Sequence, residues 1–148
     1  MSYQERRAIV SLVSSILITV AYSAYMVQRY PAANAYSAEI FRFWGAFFLI
    51  LIPVAIVAKI VIYIVFSFVN AIATKEEEAP IIDERDKLIE SRASQRSLYV
   101  FVVGFILAMG SLVVDQPPAT MFIILVCSGV VSEIVADVSQ FYFYRRGF

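Results

Sequence analysis

Charged residues divide this chain into four apolar runs. Arg7 and Arg29 bracket 21 uncharged residues, AIVSLVSSILITVAYSAYMVQ, and Arg42 and Lys75 bracket 32 more, among which Lys59 is the only charge. An 18-residue run from Ser97 to Val114 follows, then a run from about Ala119 to Tyr144 that contains two acids. At about 1.5 Å of helical rise per residue these runs match or approach the ~30 Å hydrocarbon thickness of a bilayer. They predict four transmembrane helices, at about 8–28, 43–72, 97–114 and 119–141, in a single membrane domain covering 1–148. The second run is too short for two spans with a turn. At roughly 48 Å it exceeds one upright span, so it should tilt, bend near Pro53 or project into the interface.

Polar positions inside these runs recur at helical spacing. Lys59, Tyr63, Ser67 and Asn70 are four, four and three residues apart, which sets them on one side of the second helix. Gly129, Glu133, Asp137 and Gln140 repeat that spacing on the fourth. Two helices running in the same direction would bring the stripes face to face. A charge at the bilayer centre costs at least about 2.5–3.5 kcal/mol and is expected to turn inward and find a partner. Glu133 is the first candidate for Lys59, and Asp137 lies one turn further along. An ion relay or polar pocket is one reading. A structural ion pair, or a lysine snorkelling to the headgroups, is the other. Ser11, Ser15, Thr19 and Ser23 on the first helix, and Gly104, Ala108 and Ser111 on the third, read as small-residue faces for helix contact, with a hydroxyl-lined path as the alternative.

Composition narrows the picture. Apolar residues make up 61% of the 148, more than a soluble domain of this size can cover, so part of the solvent is expected to be lipid. The formal net charge is zero, which gives no basis for direct nucleic-acid binding. Cys127 is the only cysteine and there is no histidine. A disulfide framework, thiolate or imidazole metal sites and a Ser-His triad are thereby excluded, and neither a metal nor another cofactor is expected. No glycine-rich phosphate loop is present.

Lysine and arginine fall unevenly over the connections. Arg6, Arg7, five residues between Lys75 and Arg96, Arg145 and Arg146 lie on one side of the four-span frame, and only Arg29 and Arg42 on the other. The positive-inside rule then places both termini and the loop at about 73–96 in the cytoplasm, as in a multi-pass protein of a cell inner membrane. Residues 1–24 also carry the lettering of a secretory signal peptide, with ERR before an apolar core and AYSA after it, but the expectation is an uncleaved first span. Tyr22, Tyr25, Tyr30, Phe41, Trp44, Tyr99, Tyr142 and Tyr144 sit near predicted span ends, where amphipathic rings prefer the headgroup level. The frame is two in-out-in hairpins, each with proline at its outer turn.

The loop KEEEAPIIDERDKLIESRASQRS holds seven of the twelve acids and five of the twelve bases. Pro80 precedes a helix start that Asp83 could cap, with Asp86 three residues on, and no breaker separates this segment from the third span. The fold class expected is therefore all-α: an integral membrane four-helix bundle with a cytoplasmic helix continuing into the third span. Asp83, Glu84, Arg85, Asp86 and Glu90 form a candidate docking face for a cytoplasmic protein. The competing reading is a solvated charged helix.

Through Asp83, Glu84, Arg85, Ile89 and Ala93, this segment resembles a DERxxxIxxxA stretch found in small prokaryotic membrane proteins grouped as domains of unknown function. The resemblance covers about a fifth of the chain. It implies a four-helix membrane protein without assigned chemistry, of a kind thought to include regulatory partners. The function expected is that of a non-catalytic interaction or regulatory module. Its partners would be membrane lipid and a cytoplasmic protein, with self-assembly also open. The alternative is a small oligomeric transporter or channel built on Lys59, Glu133 and Asp137. An enzyme using Glu133 and Asp137 as an acid/base pair has the least to support it, because no nucleophile motif accompanies them.

Overall fold

A computed structural model describes residues 3–74 and 84–146. They form four helices and, among the described residues, no strand: α1 (Tyr3–Val27), α2 (Ala38–Thr74), α3 (Glu84–Val113) and α4 (Pro118–Arg146). Each is long and apolar enough to cross a membrane. The helices outrun the apolar runs because charged ends continue them: Glu5 favours the positive start of α1, and Arg145 with Arg146 favours the negative end of α4. The loop helix and the third apolar run are one unbroken helix. Asp83, the expected cap, and the acids at 76–78 lie outside the described residues. α2 continues through Pro53, whose ring leaves the carbonyl of Leu49 without its helical donor.

The α3–α4 turn is closed by backbone chemistry. Asp115 takes a left-handed conformation with φ 57°, which aspartate tolerates better than bulkier residues do. The N–H of Gln116 then donates to the Ser111 carbonyl at 3.0 Å, and that of Asp115 to Leu112 at 3.3 Å, the paired bonds of a Schellman stop. Pro118 opens α4 at the first helical position, where its missing N–H costs nothing.

Packing follows side-chain size. α3 lies along α4 through Ile89, Ala93, Gly104, Ala108 and Ser111, all buried. A Cβ on Gly104 would collide with the side chain of Ser128, so this crossing depends on the absence of a side chain. Serine hydroxyls on these faces satisfy themselves on their own helix, Ser111 on Ala108 at 2.7 Å, Ser128 on Ile124 at 2.6 Å and Ser132 on Gly129 at 2.8 Å. Such serines pack as small residues.

α4 also packs on α1, and α1 on α2, but α2 and α3 make no contact among the described residues. The four helices are therefore an open array in the order α2, α1, α4, α3, and a gap stands where a closed bundle would join α2 to α3. α2 is held at one end by an aromatic cluster: Trp44 stacks on Phe122 at 5.3 Å between ring centroids, Met26, Ile40 and Phe47 are buried beside it, and the Tyr22 hydroxyl donates to the Phe47 carbonyl at 2.9 Å. The most apolar stretch of α2 buries none of its residues against protein. The usual arrangement is inverted, since the greasiest helix is the least covered.

Candidate functional site

At the end opposite the aromatic cluster, all four helices contribute to a cavity of about 240 Å³. α1 supplies Gln4, Arg7 and Ser11, α2 supplies Lys59 and Tyr63, α3 supplies Glu90, and α4 supplies Glu133, Asp137, Gln140 and Tyr144. Three acids face two bases, so the wall is acidic by one charge.

The ammonium of Lys59 donates to Oε1 of Glu133, joining α2 to α4 across a gap that the two backbones barely close. Both side chains keep about a third of their surface open, 28% and 34%, so water from the cavity can share the cost of their charges. Asp137 is different. It is only 7% exposed, and its Oδ2 has no hydrogen-bond partner. Ser11 sits within hydrogen-bonding reach of the carboxylate, and Lys59 contributes a favourable charge nearby. A buried carboxylate oxygen without a donor is costly and therefore informative.

Arg7 lies over the ring of Tyr63 with its guanidinium carbon 5.2 Å from the centroid, which fixes a second positive group at the rim. Across the cavity, the Tyr144 hydroxyl is within hydrogen-bonding reach of Asp86. Glu90, one turn further along α3, lines the cavity itself.

A second depression begins where the cavity ends. It is an apolar groove of about 610 Å³ in the gap between α2 and the α3–α4 pair, lined by Phe48, Leu51, Ile52, Ile56, Phe101 and Val130 among others. Lys59, Glu133 and Ala136 line both spaces. The ion pair stands at the boundary between a charged chamber and an oily one.

The two stripes read from the sequence are thus brought together only in part. Lys59, Tyr63, Glu133, Asp137 and Gln140 share the cavity, whereas Ser67 is exposed outside it and Gly129 lines the groove. Asn70, half-buried, is not among the cavity's lining residues. Of the docking candidates, Glu84, Arg85 and Glu90 are exposed, Glu90 also lining the cavity, whereas Asp86 is half-buried and turns toward Tyr144.

Sequence reasoning missed Gln4 and Arg7, and assigned Ser11 to helix contact and Tyr144 to the aromatic belt. A signal was present: Gln4, Arg7 and Ser11 are three and four apart, and Gln140 and Tyr144 four apart. Among the described residues no three carboxylate, cysteine or histidine side chains converge as a metal site would require. The chain matches no protein-family model, curated protein or solved structure.

Proposed function

We propose that the chain is a non-catalytic, multi-pass protein of a cell inner membrane, with both termini and the 73–96 connection in the cytoplasm, and that α3 is its regulatory output to a cytoplasmic protein. The observation that carries this reading is the continuity of α3. Its inner face is seated on α4 from Ile89 to Ser111, while Glu84, Arg85, Lys87, Leu88 and Ser91 stay exposed at its start. One rigid helix therefore links a charged, exposed surface to the cavity wall at Glu90. The lettering of this segment, with its resemblance to DER-initiated juxtamembrane stretches, supports the same reading. The uncovered apolar face of α2 supports lipid as its solvent, since water would not tolerate so large a patch.

A photo-crosslinking residue in place of Leu88 tests the output. A discrete protein adduct in intact cells is expected there, and none from Leu107, which is 60% exposed on the apolar part of the same helix. No adduct at Leu88 contradicts the reading. Trypsin should cut after Arg85 or Lys87 in inside-out vesicles and leave these two sites uncut in right-side-out ones. The reverse pattern would invert the topology.

The placement of the Lys59–Glu133 pair between a polar chamber and an apolar groove favours a second reading, a small transporter or channel. Four helices leave one side open, so this needs an assembly of several copies. Proton or sodium flux in proteoliposomes that Lys59→Met abolishes would establish it, and no flux from the parent protein would remove it.

A further inference from the structure

We propose that the cavity and the groove together form one binding site for an ammonium-headed amphiphile, whose N–H groups bond the Asp137 carboxylate while its alkyl chain lies in the groove beside α2. The site deepens the reading of a membrane-embedded regulatory module by naming the ligand class of its cavity. It rests on that reading only for the supply of ligand from a bilayer.

Three independent observations converge on this chemistry. The first is Asp137 itself, more than nine-tenths buried, lining the cavity, with Oδ2 unmatched by any donor. That oxygen calls for an N–H or O–H, and a charged donor makes the stronger bond. The second is the charge of the wall, where Arg7 and Lys59 face Glu90, Glu133 and Asp137. With Lys59 already held by Glu133, one positive charge on the ligand completes the balance. Tyr63 and Tyr144 add aromatic faces that suit a cation, although Arg7 already occupies that of Tyr63.

The third observation is continuity. Lys59, Glu133 and Ala136 line both spaces, so a molecule with its head against Asp137 has an apolar path leading away from the charges. Along α2 the groove runs from Phe48 to Lys59, about 16 Å at 1.5 Å per residue. That is about half the ~30 Å hydrocarbon thickness, the depth one acyl chain occupies in a leaflet. A purely polar solute would leave the groove unused, and a plain hydrocarbon would leave Asp137 unmet.

The test uses the full chain in phosphatidylcholine nanodiscs, with radiolabelled dodecylammonium measured against empty discs. Saturable binding above the empty-disc level is expected. Dodecyltrimethylammonium, which has no N–H, and ethylammonium, which has no chain, should bind about tenfold or more weakly. Asp137→Asn should weaken dodecylammonium by a similar factor. Ala55→Trp, on the groove wall, should weaken dodecylammonium and leave ethylammonium unchanged, which separates loss of the site from loss of the fold. In discs that also contain phosphatidylethanolamine, native mass spectrometry tells the sources apart. Selective retention of that lipid by the parent but not by Asp137→Asn identifies the bilayer as the source. Dodecylammonium binding without such retention identifies a free lipophilic ammonium. Binding no greater than in empty discs, or equal binding by the parent and both variants, overturns the proposal and leaves the Leu88 adduct test unaffected.

Discussion

Lys59 on α2 and Glu133 on α4 form an ion pair that separates a charged cavity from an apolar groove. Removing one partner leaves the other as an uncompensated charge in a confined place, whereas replacing both with apolar groups removes the problem. Because both side chains are about one-third open, the penalty should be less than that of a fully buried pair. Lys59→Met alone should destabilise the protein by about 1–3 kcal/mol, and adding Glu133→Leu should recover most of it. Thermal unfolding in detergent checks this. A double variant as unstable as the sum of the two singles would mean that the charges do not compensate each other.

Gly104 is pressed against Ser128, and even a methyl group there has no room. Gly104→Ala should cost about 1–3 kcal/mol as an overpacking change, and Ser128→Gly in the same chain should relieve part of it. Gly110→Ala, with nothing within 4 Å of its new carbon, should be neutral or slightly stabilising because alanine favours the helix. Equal losses at Gly104 and Gly110 would show that α3 does not meet α4 at Gly104.

The start of α3 is tethered to the end of α4 by Tyr144 and Asp86. Tyr144→Phe should remove about 1 kcal/mol of local stability. Amide exchange of the first turns of α3 should then accelerate, while exchange around Gly104 stays as it was. Unchanged exchange at the start of α3 would show that this contact does not hold the helix down.

The aromatic cluster should dominate the stability of the opposite end. Trp44→Ala should cost about 3–5 kcal/mol, and a double-mutant cycle with Phe122→Ala should leave a coupling of about 0.5–1.5 kcal/mol from the stacked rings. A coupling near zero would indicate that the two rings merely share a neighbourhood.

Much of this architecture was legible in the sequence, and the residues show why. Four long apolar runs holding at most two charges each report four helices directly, because so few charges over about 20 residues have few other causes. The small-residue line Gly104, Ala108, Ser111 reported a contact face, which the structure seats on α4, since only small side chains permit that approach. Spacing also put Lys59 and Glu133 on facing stripes.

The open edge between α2 and α3 was not legible. Leucine, isoleucine and valine look the same whether they face protein or lipid, so apolar periodicity carries little information inside a membrane. The cavity was half-legible for a related reason. Its α4 side lies in an apolar run where any polar residue stands out, whereas Gln4, Arg7 and Glu90 lie in charged segments where they do not.

Thiol accessibility from the charged end tests the chamber boundary most directly. In a background with Cys127→Ser, single cysteines at Tyr63 and Gln140 probe the cavity, and single cysteines at Ile52 and Ile56 probe the groove. A membrane-impermeant maleimide added to inside-out vesicles should label the cavity pair rapidly and the groove pair about a hundredfold more slowly or not at all, because an apolar groove facing lipid would offer the reagent no aqueous path. Equal labelling of all four positions would contradict a polar chamber closed by Lys59 and Glu133, and with it the proposed division between water and lipid at the ion pair.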